Sequence, residues 1–417
     1  MLHFLYSTFF RLALPFIMVK LWWHSRRSPG EWLHWQQRLG FVPRSEQPVI
    51  WVHAVSVGET IAAAPLVTAL LEREPGARIL MTAMTATGAR QAEAIFGDRV
   101  RYAFSPYDTP GSVRRFVDRI NPSALVIMET ELWPNMISLT RARNVPVFLI
   151  NARLSERSAQ GYERLQIFAR TILSRITWIA AQANDDAQRF LRLGARPESV
   201  SVTGSVKYDV VVDDPLRAAA ARLRQDLGAR PVWIAASTHV GEDQQLLACH
   251  QQILKKHHNA LLILVPRHPE RFASVAALVR EQGLTLTRRT EHSGPVNTQV
   301  YLGDTMGELL MLYGAADMAF VGGSLVERGG HNPLEPAAWG IPVLSGPHVF
   351  NFEAIYAQLA EGKGLFKVAN DAELARCVSG LMDGPEVAGR VGANALATVT
   401  ANRGALHKVV DGIVERV

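Results

Sequence analysis

The feature that most constrains this chain is an alternation. Short runs of Val, Ile, Leu and Ala are separated by longer stretches with helical apolar spacing, and the series occurs twice. An apolar run too short for a helix suits a strand buried on both faces, and strands alternating with helices build βαβ units and a parallel sheet. The first series predicts strands at Val49–Val55, Arg78–Thr82, Val100–Ala103, Ala124–Met128, Val147–Ile150 and Trp178–Ala181, with a long helix over Ile61–Glu74. The second predicts strands at Pro231–Ala235, Ala260–Val265, Thr298–Leu302, Met318–Val321 and Ile341–Leu344. At 417 residues the chain exceeds the ~250–300 at which one core stops growing, so two Rossmann-like lobes of an α/β protein are expected. The expected divisions are 1–24, 25–208 and 209–417, with the last helix, Ala405–Val417, sent back over the first lobe.

Composition narrows the partners. Hydrophobic residues at 48% and charged residues at 20% permit a large core, and a net charge of +6 carried mostly by Arg suits phosphates and carboxylates. The basic residues are dispersed and no nucleic-acid signature occurs, so no nucleic-acid partner is expected. Cys249 and Cys377 stand apart, without metal spacing or CxxC, and read as small hydrophobes in a reducing compartment.

The first 24 residues differ from the rest. Met1–Trp23 is rich in Leu, Phe, Ile and Trp, is interrupted by His3, Arg11 and Lys20, and runs into His24-Ser25-Arg26-Arg27. A cleaved signal peptide would carry its charge first and a small-residue cleavage site afterwards, and neither is present. A spanning helix, an interfacial helix and a helix docked on the protein itself remain, with membrane attachment favoured and the basic flank holding the lobes on the cytoplasmic side.

In parallel sheets ligands sit at the carboxyl ends of strands, so motifs there matter most. Ser56-Val57-Gly58-Glu59-Thr60 places a carboxylate between a strand and a helix, fit for a general base or for complementing the helix dipole. The same dipole would lower the pKa of Glu59, against the needs of a base, unless desolvation offsets it. Met128-Glu129-Thr130-Glu131-Leu132-Trp133-Pro134 sets two carboxylates at another strand end, to position an acceptor, to favour positive charge on a sugar, or to cap the next helix. Lys207, in Gly204-Ser205-Val206-Lys207-Tyr208-Asp209, can neutralise a departing phosphate or be solvated surface.

The second lobe supplies a nucleotide set. Arg267 and His268 follow a very apolar strand, and Asp304-Thr305-Met306-Gly307-Glu308 is expected to open a helix whose amides bind an anion. In the stretch 322–337 the glycines permit close backbone approach, while Asn332 and Glu335 are spaced one helical turn apart, where a carboxylate can accept both hydroxyls of a ribose. No metal motif, Walker loop, serine elbow or dehydrogenase fingerprint is visible.

Taken together, SVGET at 56–60, METELWPN at 128–135, NARLS at 151–155, GSVKYD at 204–209, PRHPERF at 266–272, GDTMGEL at 303–309 and VGGSLVERGGHNPLEPA at 321–337 resemble the 3-deoxy-D-manno-octulosonic acid (Kdo) transferases of lipopolysaccharide assembly. The resemblance implies a GT-B glycosyltransferase fold, two lobes facing a central cleft, with an N-terminal membrane-anchoring helix in the bacterial inner membrane. It implies CMP-Kdo as donor, a tetraacylated lipid A precursor as acceptor, inner-membrane phospholipids as surroundings, inversion, and neither metal nor cofactor. By the same likeness Glu59 is the proton acceptor, and Glu129 and Lys207 are transition-state stabilisers. Arg267, His268, Met306, Gly307, Glu308, Asn332, Pro333, Leu334 and Glu335 hold CMP. The competing readings are a GT-B transferase using UDP- or GDP-sugars and a membrane-tethered nucleotide sensor without chemistry.

Overall fold

Each apolar run forms a parallel strand. In the computed structural model, which describes residues 2–25 and 34–417, the first series builds a seven-stranded sheet from β1 (Val49–His53), β2 (Ile79–Ala83), β3 (Arg101–Phe104), β4 (Pro122–Met128), β5 (Val147–Ala152), β6 (Trp178–Ala181) and β7 (Val200–Val202). Its order is β3-β2-β1-β4-β5-β6-β7. The second series builds another from β8 (Val232–Thr238), β9 (Leu261–Pro266), β10 (Leu286–Arg288), β11 (Val300–Leu302), β12 (Met318–Val321), β13 (Val343–Ser345) and β14 (Leu365–Lys367), in the order β10-β11-β9-β8-β12-β13-β14. The chain separates into two units, one of residues up to Asp209 together with Arg403–Val417, the other Val210–Asn402.

Strand periodicity explains both cores. In the first sheet Trp51, Leu125, Ile127 and Leu149 point to one face and pack with Val113 and Phe116 of the helix Pro110–Ile120. The alternate residues Ile50, Val52, Val126, Phe148 and Ile150 point to the other and pack on Leu66, Val67 and Leu70 of the helix Val57–Arg73. The second sheet divides in the same way, with Trp233, Leu262, Leu264 and Phe320 on one face and Ile234, Ile263 and Ala319 on the other.

The final helix, Ala405–Val414, belongs to the first unit, where Ala405, Val409, Val410 and Ile413 join the core on the Leu66–Leu70 side. Asp209 fastens its start by accepting hydrogen bonds from the amides of Gly404 and Leu406, both at 2.7 Å. A side chain at Gly412 would meet the Trp178 ring at 2.3 Å, so only glycine lets this helix lie so close to β6.

At the other end of the sequence, the helix Leu2–Ser25 is long and apolar enough to cross a membrane by its length and composition. Arg26 and Arg27, expected to flank it, lie outside the described residues.

Both strand orders reverse beside the strand that starts the unit, between β1 and β4 and between β8 and β12. The crevice at the carboxyl ends of these strand pairs is where such sheets take ligands.

Candidate active site

In the first unit the loop after β1 carries Glu59. The helix Val57–Arg73 begins four residues before the predicted Ile61, because Ser56 caps it and its Oγ accepts the Glu59 amide at 3.3 Å. The Glu59 carboxylate folds back in return, accepting the Val55 amide at 2.8 Å and the Ser56 hydroxyl at 3.0 Å. The carboxylate thus orders its own loop at the start of the helix while remaining half-buried. Desolvation raises its pKa, against the pull of those two hydrogen bonds, and the nearby charges of Glu131 and Glu129 raise it further. Burial and like charge thus oppose the lowering that the helix dipole exerts on this carboxyl.

Across the reversal point, the loop after β4 carries Glu129 and Glu131. Glu129 has φ 56°, a left-handed conformation that costs a residue with a Cβ about 1–2 kcal/mol. Its amide still bonds to the Ile150 carbonyl at 2.9 Å, and its carboxylate accepts from Lys207 Nζ at 2.9 Å. Glu131 accepts from the Trp133 indole at 2.9 Å, and burial raises its pKa. The cap expected from one of these glutamates comes instead from Asp108, which accepts the amides of Asn135 and Met136 at the start of the helix Pro134–Arg141.

The turn bearing Lys207 is held by a residue that sequence reasoning passed over. Asn151, fully buried at the end of β5, also has a left-handed backbone, φ 53°. Its Oδ1 accepts from Ser205 Oγ at 3.2 Å and from the Val206 amide at 3.3 Å. Asn151 therefore positions Lys207 against Glu129, and the only sequence signal was the NARLS motif.

In the second unit the Gly-rich loop packs closely on its surroundings. Its close backbone approach is to the protein itself: a side chain at Gly322 would meet the Ser237 carbonyl oxygen at 2.7 Å, and one at Gly329 would meet Asn351 at 2.5 Å. Three of its amides share one carboxylate. Glu242, fully buried, accepts the amides of Gly323 at 2.7 Å, Ser324 at 3.0 Å, Leu325 at 3.0 Å and His239 at 2.9 Å.

Charged and imidazole groups gather beside that loop. Arg267 follows β9, with its amide bonded to the Thr238 carbonyl, and half-buried Glu335 lies within its electrostatic reach. The rings of His239 and His331 stack at 5.1 Å with their Nε2 atoms 2.8 Å apart, and His268 meets His239 edge-on at 5.5 Å. Desolvation, then the charges of His268 and Arg328, holds His239 down at about 4; desolvation, then Arg267, holds His331 down at about 3. His239 and His331 had no predicted role, because isolated histidines show nothing until the fold joins them. Asn332 Nδ2 donates to Glu335 at 3.4 Å, and burial lifts the Glu335 carboxyl to about 7. Pro333 and Leu334 are buried beneath the same turn.

Residues 304–308 depart from the predicted helix opening. The helix there starts only at Leu309 and ends at Tyr313, too short to present an anion site. Asp304 instead accepts from Arg288 and Thr290, and Glu308 pairs with Arg289 through both oxygens, at 2.7 and 2.9 Å, which lowers its pKa. Met306 is exposed, and Gly307 and Glu308 line a groove of about 610 Å³ with Arg222, Arg289 and Met311.

A family model described as 3-deoxy-D-manno-octulosonic-acid transferase (kdotransferase) matches residues 33–210. The chain is 43% identical over 420 aligned positions to the 3-deoxy-D-manno-octulosonic acid transferase of Haemophilus influenzae, covering 99% of this chain and 98% of that one. The chain belongs to the 3-deoxy-D-manno-octulosonic acid (Kdo) transferases. The enzyme of the same name from Bordetella pertussis is 40% identical over 382 positions, 86% of this chain and 87% of that one. Solved structures show the GT-B fold at low identity. The UDP-GlcNAc 2-epimerase of Neisseria meningitidis bound to UDP-GlcNAc aligns with a TM-score of 0.58 at 14% identity, over 88% of this chain and all of that one. A glycosyltransferase from Rickettsia africae aligns with a TM-score of 0.54 at 13% identity, over 89% and 99%. As a Kdo transferase the chain is a glycosyltransferase.

Proposed function

We propose that this protein transfers Kdo from CMP-Kdo to a hydroxyl of the lipid A precursor during lipopolysaccharide assembly, at the cytoplasmic side of a bacterial inner membrane. The observation that carries the reading is Glu59, a half-buried carboxylate of raised pKa whose electrostatic neighbours are the glutamates of the β4 loop. In the proposed step the acceptor oxygen forms a bond to the anomeric carbon of Kdo as the bond from that carbon to the CMP phosphate oxygen breaks. Glu59 takes the hydroxyl proton and CMP leaves with the electron pair. Attack opposite the departing phosphate inverts the centre, and no metal enters the reading.

The Glu129–Lys207 pair supplies fixed charge beside Glu59, and the left-handed backbone of Glu129 supports a functional role, since strain of this kind collects at active sites. The second unit takes the donor. Arg267 and His268 engage its phosphate side, Asn332 to Glu335 its ribose, and Met306, Gly307 and Glu308 the remainder of the nucleotide. The exposed apolar N-terminal helix keeps the enzyme where its lipid acceptor resides.

Incubating the purified protein with CMP-Kdo and the lipid A precursor, then weighing the lipid by mass spectrometry, tests the reading. A mass gain of one or more Kdo residues is expected, and an unchanged lipid removes the proposal. CMP, and neither UDP nor GDP, is expected to protect the protein against heat.

A further inference from the structure

Length and hydropathy make the N-terminal helix a candidate span, but its contacts do not. Apart from Thr8, the buried and partly buried residues are Leu2, His3, Tyr6, Ser7, Phe10, Ala13, Leu14, Ile17, Met18 and Leu21, a stripe of helical period running from one end to the other. The first turns are clasped by polar groups of the folded unit. Tyr6 donates to Asp108 at 2.9 Å, Ser7 donates to Asn135 Oδ1 at 2.9 Å, and the His3 ring lies 3.1 Å from the same oxygen. The His3 and Tyr6 rings also pack on Phe168.

The opposite face is apolar and open. Phe4, Leu5, Phe9, Leu12, Phe16, Val19 and Trp23 are exposed, Phe16 to 77%. Arg11 and Lys20, also exposed, project near opposite margins of that face, so that both ammonium and guanidinium can reach headgroups while the row between them enters the acyl boundary. A helix of 24 residues is about 36 Å long, against a hydrocarbon layer of about 30 Å. Were it to cross, His3, Tyr6 and Ser7 would reach the far side of the bilayer, where Asp108 and Asn135 of a folded lobe cannot follow.

We propose that this helix is an in-plane anchor, lying along the first unit with its outer face in the headgroup region of one leaflet, and that it does not cross the bilayer. The inference rests on the reading that the chain is membrane-attached and adds the orientation. It also gives the polar clasp a purpose, since the lobe is held at a fixed attitude to the lipid surface instead of swinging on a tether.

The test uses the full chain in bacterial inner membranes with Cys377→Ser, leaving buried Cys249 in place. Leu2→Cys is treated with a membrane-impermeant maleimide from the outer face of spheroplasts, and again after detergent. Label only after detergent is the expected result, and label from outside overturns the orientation. Nitroxides placed separately at Leu5→Cys, Leu12→Cys and Val19→Cys give an independent reading. Equal shallow depths are expected, and a maximum depth at position 12 indicates a span. Recovery of the chain in the soluble fraction would sink membrane attachment itself, whereas sedimentation with membranes combined with outside labelling sinks only the in-plane orientation.

Discussion

Glu59 and Glu242 occupy the same place in two similar sheets. Each stands in the first turn of the helix that follows the strand beside the reversal point, β1 for one and β8 for the other. Their environments are opposite. Glu59 has two partners, both within four residues of it, and keeps part of its surface open. Glu242 has four amide partners, three of them in the loop after β12, and is closed from solvent. Position at a strand end is therefore shared by the carboxylate proposed to react and by one that is structural; what differs is the number of fixed dipoles already spent on each.

Exchanging each carboxylate for its amide separates the two roles. Glu59→Gln retains a carbonyl for the Val55 amide but removes the proton acceptor, so turnover is expected to fall by about 10²–10⁴-fold. Folding stability should change by less than about 1 kcal/mol, and CMP binding should be nearly unaffected. In the wild type, the raised pKa of Glu59 should move the acid limb of the rate profile to higher pH than an unshifted carboxylate would give, because the base must be ionised to work. A Glu59→Gln enzyme with full turnover would break the comparison at its root.

Glu242→Gln should show the reverse profile. An amide presents one acceptor and two donors to a pocket built from four N–H groups, leaving buried donors unpaired. A loss of about 3 kcal/mol or more in chemical denaturation is expected, with whatever folded protein remains still turning over. Selective loss of turnover at full stability would show that Glu242 also reacts.

Asn151 sharpens the contrast from the first unit. Asn151→Ala releases the Ser205–Val206 turn and with it Lys207, so kcat should fall by about 10²-fold while KM for the donor holds. Asn151→Asp, which keeps the acceptor and tolerates the left-handed backbone, should restore most of the rate. Equal losses in both variants would assign Asn151 to folding alone.

These residues mark what the sequence discloses. Central strands such as β4 and β9 are legible because a parallel strand is covered on both faces and must be apolar throughout. The edge strands β7, β10 and β14 escaped, being three residues long and half-exposed, with no apolar run to betray them. Strand-end motifs were legible for the same reason as the strands they terminate. The left-handed backbones of Glu129 and Asn151 were not, since neither is glycine, and Lys207 meets Glu129 across 78 positions that only the sheet order brings together. Glu242 drew no notice in the sequence because three of its four amide partners stand more than 80 positions away.

The second unit offers a smaller effect of its own, in Glu335. Burial lifts this carboxyl to about 7, against the opposing pull of Asn332 and Arg267. A raised pKa means that the unliganded fold favours the neutral acid, so its contribution to stability is full below the ordinary carboxylate value and lost as pH rises through about 7. A ribose whose two hydroxyls donate to Glu335 requires the ionised form. Cytidine, which has no phosphate to titrate, should therefore bind about tenfold more tightly at about pH 8 than at about pH 6, as ionisation rises from roughly a tenth to nine-tenths. The neighbouring His239 and His331 rings, held at about 4 and about 3, stay neutral throughout that window and add nothing to the slope. Calorimetry with wild type and Glu335→Gln decides the matter: the variant should bind weakly and without pH dependence, and a flat wild-type profile would take the ribose away from Glu335.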